Sequence, residues 1–193
     1  MTTLKDRKRQ ATRAAILEAA KVLFEKNGFE KTSVDELAAQ ALISKFTFYN
    51  FFGSKEELLN ELYMEILEAM NPDLTDVAAS DTKVADIFIG QVQSMARWCE
   101  SHKELTKVLA GNTKLVLPNC EPRNCMGNTI ALIEYAQKTG EFKADVDARD
   151  IARYVVVLMQ GEKREWVGAN CSYPLEQKMT DAVRFVLLAL KQK

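Results

Sequence analysis

The scarcity of turn-forming residues is the feature that most constrains the fold of this chain. Only 8 Gly and 4 Pro occur among 193 residues, about half of the roughly 12% that these two residues usually contribute together. An all-β chain needs a turn signal about every 8–12 residues, and this sequence does not supply them. Because 47% of the residues are apolar, there is enough side chain for a core. The sequence therefore predicts an all-α protein built from long helices.

Apolar residues recur with helical period along almost the whole chain, and cap residues mark where the helices begin and end. Ser44 can cap a short helix over residues 45–51, and Asn27-Gly28 is a typical end of the first helix. Three Ser-x-x-Glu capping boxes predict further helix starts. They begin at Ser33, Ser54 and Ser101.

Charge is distributed unevenly between the two ends of the chain. Residues 1–55 hold ten Lys/Arg and six Asp/Glu, a net charge of +4, whereas the remainder carries −5. An acidic body with a basic head is typical of a protein whose head approaches a polyanion. We predict about nine helices in two domains: a three-helix N-terminal domain over 1–54 and a six-helix bundle over 55–193.

Membrane and secreted proteins are not expected from this sequence. No stretch longer than ten residues lacks a charged side chain, whereas a membrane span needs about 18 apolar residues. The basic start is followed by no apolar core and no small-residue cleavage site, so we expect no signal peptide and a cytoplasmic protein.

Four cysteines and a single histidine leave little for metal or nucleophilic chemistry. Cys120-x4-Cys125 resembles half of a metal site, but the second half is missing and His102 belongs to another segment. The sequence also contains no Gly-rich phosphate-binding motif. We expect no enzyme, no cofactor, no metal and no obligatory disulfide, with a thiol sensor at Cys120 and Cys125 as the alternative.

Residues 33–52 have the pattern and size of a helix-turn-helix, in which the second helix enters the major groove of DNA. That helix offers donors and acceptors that can reach base edges and phosphates. They are Lys45, Thr47, Tyr49 and Asn50. Phe48 and Phe52 can fill the core beneath a helix that is too short to persist alone. Solvated lysines and a tyrosine at the edge of the core remain the alternative.

Helix starts next to this segment are candidate phosphate contacts. Ser44 and Ser54 place free N–H groups where an anion can bind. Lys55 lies in the first turn of its helix, where a cation opposes the helix dipole unless it faces an anion. We expect Thr32 and Ser33 to support these contacts.

Residues 13–59 resemble the N-terminal domain of the TetR family of transcriptional regulators. The matching residues fall at the family's spacing without gaps, and include Arg13, Gly28, Thr32-Ser33-Val34, Leu37-Ala38, Ser44-Lys45, Thr47-Phe48-Tyr49, Phe52 and Ser54-Lys55-Glu56. The run Gly140-Glu141-Phe142 also resembles the family's entry to its eighth helix. The resemblance implies a repressor that binds a palindromic operator as a dimer. It further implies that an effector bound in the C-terminal bundle changes the spacing of the two DNA-binding domains of the dimer, which then leaves the DNA.

Two residues depart from the family pattern. The turn usually reads Ala-Gly-Val-Ser, and here it contains Leu42 in place of glycine. A left-handed leucine costs about 1 kcal/mol or more, so either the turn is reshaped or packing holds the strain. Phe46 stands where a small residue is common, and it can meet a thymine methyl group or fold back into the core. Both departures support an alternative, a helical adaptor that has lost DNA binding. The predicted DNA contacts are Thr32, Ser33, Ser44, Lys45, Phe46, Thr47, Tyr49, Asn50 and Lys55.

The C-terminal part of the chain predicts a dimer and a ligand pocket. The last two helices, over 148–169 and 174–191, carry apolar residues on more than one side, so we expect one side to contact a second copy, with burial inside the monomer as the alternative. Helices four to seven should enclose an effector. The residues predicted to line this pocket are Ile66, Met70, Phe88, Val92, Met95, Trp98, Leu109, Met126, Ile130 and Ile133. Methionines and aromatic residues favour a hydrophobic or aromatic small molecule, although an ordinary bundle core has the same pattern.

Overall fold

A computed structural model of the protein describes residues 3–69, 77, 82–111 and 127–191. These residues contain nine helices, numbered here in chain order. They are α1 (Leu4–Asn27), α2 (Val34–Gln40), α3 (Lys45–Phe51), α4 (Lys55–Ala69), α5 (Val84–Ser101), α6 (Lys103–Gly111), α7 (Gly127–Lys138), α8 (Ala148–Gly168) and α9 (Leu175–Leu190). Extended pairing within the same residues is limited to one bridge between Phe142 and Lys191. The predicted all-α architecture is confirmed.

The chain forms two compact units, Met1–Ile66 and Leu67–Lys193. The first unit contains α1 to α3 and most of α4, and its core includes Phe24, Leu37 and Phe48, which are fully buried. The second unit packs α5, α7, α8 and α9 around a larger apolar cluster that includes Phe88 and Trp166. Among the helices described, none is long and apolar enough to span a membrane.

Helix ends in the first unit follow the local cap chemistry. Gly28 ends α1 with a φ of 79°, a left-handed conformation that glycine adopts without a steric penalty. Ser33 caps α2, and its hydroxyl and backbone N–H both donate to the Glu36 carboxylate. These two hydrogen bonds lower the pKa of Glu36. The cap of α1 is not predicted from the sequence: Thr3 and Asp6 form a capping box, and this helix begins at Leu4.

Two helices of the second unit are capped by carboxylates from distant parts of the chain. Neither α5 nor α9 has a side-chain cap of its own, because their N-cap positions hold Lys83 and Pro174. Glu141 accepts hydrogen bonds from the first two N–H groups of α5 at 2.8 and 2.9 Å. Glu100 Oε1 accepts from the N–H groups of Leu175 and Glu176, which begin α9. These contacts join elements of the bundle while satisfying otherwise unpaired N–H groups.

The capping box predicted at Ser101 is wrong. Ser101 is the last residue of α5, and its hydroxyl donates to the Arg97 carbonyl one turn earlier. Helix α6 begins at Lys103 instead. The end of α4 predicted at Asn71-Pro72 lies outside the described residues, as do Cys120 and Cys125.

Candidate nucleic-acid interface

The turn between α2 and α3 contains Leu42 in a left-handed conformation with a φ of 56°. The Ile43 N–H donates to the Ala38 carbonyl at 2.9 Å, and the Leu42 N–H donates to Ala39 at 3.1 Å. This is the pair of hydrogen bonds of a Schellman motif, whose left-handed position usually holds glycine. The turn is therefore not reshaped. Packing does not hold the strain either, since the Leu42 side chain is 92% exposed; the two backbone hydrogen bonds remain as the restraint.

Helix α3 begins and ends at the predicted residues, and one of its faces is buried. Ser44 Oγ accepts from the Thr47 N–H at 3.0 Å and caps the helix. Phe48 is fully buried, Phe52 is 3% exposed, and their ring centroids lie 6.1 Å apart. A helix of seven residues is marginal in isolation, so these two rings determine the orientation of α3.

The opposite face of α3 is exposed and carries most of the predicted base contacts. The exposed residues of this face are Ser44, Lys45, Phe46, Tyr49 and Asn50, while Thr47 is half-buried. Phe46 is 76% exposed, which rules out the alternative that it folds into the core. Lys45 Nζ lies 3.0 Å from Asp35 Oδ2 on α2, and this carboxylate raises the pKa of Lys45.

Lys55 contacts the loop between α1 and α2, to which Thr32 belongs. The Lys55 ammonium donates to the Phe29 carbonyl at 2.7 Å and to the Thr32 carbonyl at 3.1 Å, and it lies 4.2 Å from the centroid of the Phe29 ring. The buried Thr32 hydroxyl donates to the Gly28 carbonyl at 2.8 Å. Two of the three ammonium protons are used within the unit, so Lys55 fastens the start of α4 to this loop.

A second basic segment reaches α3 from the start of α1. The Arg9 guanidinium carbon lies 5.8 Å from the centroid of the Phe51 ring, at the last residue of α3. Three further exposed basic residues precede it in the same helix: Lys5, Arg7 and Lys8. Neither Arg9 nor Leu42 was among the predicted contacts. The basic run was visible in the sequence, but its position beside α3 depends on the length of α1.

The predicted pocket residues divide into three groups. Buried side chains are found at Ile66, Phe88, Val92, Met95, Leu109 and Ile133, whereas Trp98 and Ile130 are half-buried. Met70 and Met126 lie outside the described residues. The apolar cluster of the second unit brings together Phe88, Val92, Met95 and Ile133, with Trp98 and Ile130 packed against it. It includes neither Leu109 nor Ile66, and Ile66 belongs to the first unit. The Trp98 ring stacks on His102 with centroids 4.6 Å apart.

The last two helices each expose large apolar side chains one turn apart. Tyr154 and Val157 on α8 are 54% and 48% exposed, and Phe185 and Leu188 on α9 are 76% and 65% exposed. Other residues of these helices, such as Val155 and Val183, are buried in the core of the second unit. Within the part of the chain that the structure describes, no three His, Cys, Asp or Glu side chains are grouped so that they could hold a metal ion.

Comparison with known proteins relates both parts of the chain to bacterial regulators. A model of "Bacterial regulatory proteins, tetR family" matches residues 16–62. The HTH-type transcriptional repressor SCO4008 of Streptomyces coelicolor is 30% identical over 154 residues, which are 77% of this chain and 77% of that protein. The transposon Tn10 TetC protein of Escherichia coli is 28% identical over 82 residues, and the chain spans 42% of its length.

A solved structure has a similar fold over most of the chain. FadR of Thermus thermophilus, a TetR-family transcriptional repressor in complex with lauroyl-CoA, superimposes with a TM-score of 0.73. The match covers 94% of this chain and 96% of that chain at 18% identity. At this identity the likeness concerns the fold alone.

The strained turn predicts the effect of restoring glycine. Leu42→Gly removes the clash that a side chain causes at positive φ, about 1–2 kcal/mol, at some cost in chain entropy. We expect a free energy of unfolding higher by about 0.5–1 kcal/mol, measured by urea denaturation. Ala41→Gly is the matched control. At the φ of −81° of Ala41 glycine brings no relief and should lower stability, so an equal response of both variants would contradict the strain.

Proposed function

Because this chain belongs to the tetR family of bacterial regulatory proteins, we propose that it is a cytoplasmic transcriptional repressor that binds a palindromic operator as a homodimer. A small-molecule effector would release it from the DNA. The observation that carries the proposal is α3, a capped helix whose buried aromatic face holds a polar and cationic face toward solvent. A recognition helix needs these two properties together.

The proposed division of labour follows the predicted domains. Residues 1–54 would bind DNA, with α3 in the major groove and its exposed side chains at the base edges. Lys55 retains one ammonium proton beyond its two carbonyl partners, and this proton can reach a phosphate. Residues 55–193 would bind the effector and the second subunit.

A helical adaptor without DNA binding is the competing function, supported by Leu42 and Phe46. Selection from a pool of random 30-base-pair duplexes by the full-length protein distinguishes the two. A repressor should enrich two inverted half-sites whose centres lie about one helical turn, 10 base pairs, apart or a multiple of that distance. Failure to enrich any sequence, with a folded protein verified by circular dichroism, would favour the adaptor.

The Lys45–Asp35 pair predicts opposite effects on DNA affinity. Asp35→Asn removes a negative charge next to α3 and leaves Lys45 available to DNA, so the affinity for the selected operator should rise about 2- to 10-fold at low salt. Lys45→Ala should weaken binding, and at a base contact the cost is about 1–3 kcal/mol. Mobility-shift titrations measure both. Glu104→Gln, which changes an exposed carboxylate of the second unit, is the control; an equal rise for this variant would indicate a long-range charge effect only.

The exposed faces of α8 and α9 support the homodimer. Phe185→Glu places a charge at the side chain that is 76% exposed, and burying an unpaired charge in an interface is costly. Light scattering at micromolar concentration should show a dimer for the unchanged chain and a monomer for the variant. Val22→Glu, at a 44% exposed apolar position of α1, should remain dimeric. A monomeric unchanged chain would contradict the proposal.

We expect the effector to be hydrophobic, because the cluster around Phe88 and Met95 is apolar. FadR of Thermus thermophilus was solved with lauroyl-CoA, which makes this compound a suitable first probe. A ligand at 100 times its Kd adds about 2.7 kcal/mol of stability, or about 5–10 °C in Tm. Coenzyme A alone should shift Tm less. If coenzyme A raised Tm as much as lauroyl-CoA did, the acyl chain would not contribute to binding and an apolar pocket would be wrong.

A further inference from the structure

Leu42 and Phe46 expose two large apolar side chains at the start of α3. They flank the cap residue Ser44, and their exposed fractions of 92% and 76% are the largest of any large apolar side chain described in the first unit. Burial of such side chains is strongly favourable, and the core beneath α3 has accepted Phe48 and Phe52 instead. Both apolar groups therefore lie on the outward face.

Leu42 is unfavourable in a second, independent way. Its left-handed backbone has a φ of 56°, which glycine would adopt without strain. A leucine here costs stability through its backbone and exposes its side chain to water. These two costs at one position indicate a surface that is covered when the protein functions.

The surrounding charge identifies what covers this surface. Lys45 lies between the two apolar residues in the sequence, and Arg9 contacts the far end of α3 at Phe51. Lys5, Arg7 and Lys8, which precede Arg9 in α1, are exposed as well. An occupant that is both a polyanion and locally apolar fits this arrangement. In the major groove of DNA, the apolar group on the base edges is the C5-methyl of thymine.

We propose that Leu42 and Phe46 read thymine methyl groups in each half-site of the operator. The inference rests on the proposed DNA binding and names the chemistry by which the sequence is chosen. Apolar contacts at the start of α3 then act together with the hydrogen bonds that Lys45 and Asn50 would make to base edges. Each half-site contains at least one thymine whose methyl group, rather than its hydrogen-bonding edge, carries the discrimination.

Replacement of thymine by deoxyuridine tests this contact, because it deletes the methyl group and leaves every hydrogen-bonding atom in place. Each thymine of the selected operator is replaced in turn, and the affinity of the full-length protein is measured at fixed salt. We expect one or two positions in each half-site to lose about 3- to 10-fold in affinity. Phe46→Ala or Leu42→Ala should weaken binding to the thymine operator and abolish the sensitivity at its position, as in a double-mutant cycle.

Two further variants separate strain and folding from methyl recognition. Leu42→Gly relieves the backbone but also deletes the side chain, so it should lose the same sensitivity as Leu42→Ala. Val22→Ala, which shortens an exposed apolar residue of α1, should keep the full thymine-to-uridine difference. Thermal unfolding of each variant shows whether the first unit is still folded.

Three outcomes would overturn the inference. First, the selected operator could tolerate deoxyuridine at every position, which would exclude methyl recognition and leave the proposed DNA binding intact. A thymine-to-uridine difference that persists unchanged in Phe46→Ala and Leu42→Ala would assign the methyl contact elsewhere. Unchanged operator affinity in these variants, together with a smaller oligomer by light scattering than the unchanged chain forms, would mean that a second copy of the chain covers this surface. If no DNA sequence were selected at all, the proposed function itself would fail.

Discussion

The burial of Phe48 and Phe52 beneath α3 is the interaction on which the candidate site depends. Helices of seven residues are marginal in water, and both α2 and α3 have this length. Their positions are determined by the core of the first unit, where Leu37 and Phe48 are fully buried. Because the two rings occupy one face of α3, the other face is held toward solvent, with Lys45 paired to Asp35 of α2. For this reason the exposed side chains between Ser44 and Asn50 lie together on the solvent-facing side of α3.

Unpaired N–H groups at helix starts explain much of the remaining architecture. In the first unit local hydroxyls satisfy them, as Ser33 and Ser44 do. In the second unit Glu100 and Glu141 perform the same task from 75 and 57 residues away. A cap that reaches across the bundle satisfies the helix end and also connects two elements. Lys55 makes the analogous connection in the first unit by donating to carbonyls of the α1–α2 loop.

Features set by near neighbours in the sequence could be predicted, and features set by distant residues could not. The bounds of α3 follow from the Ser44 cap and the phenylalanine spacing, both local. The capping box predicted at Ser101 failed because a serine hydroxyl can either cap a new helix or donate to a carbonyl one turn earlier in the helix that is ending. Ser101 makes the second kind of hydrogen bond. Lys55 opposes the helix dipole in a first turn, and the sequence alone suggested an anion as its partner; the carbonyl partners in the structure lie 23 and 26 residues earlier. The sequence shows that Leu42 departs from the family pattern, but only the geometry of the turn shows that its side chain is exposed.

The specificity of DNA binding by the full-length protein tests the account most directly. The measurement is the ratio of affinities for the selected operator and for a scrambled duplex of the same length and composition, at about 0.15 M salt. Specific regulators bind their sites about 10³-fold or more tighter than other DNA, and we predict a ratio of this size. A ratio near one, with binding that depends only on salt, would show a general affinity for polyanions and would contradict the assignment of α3 as a recognition helix.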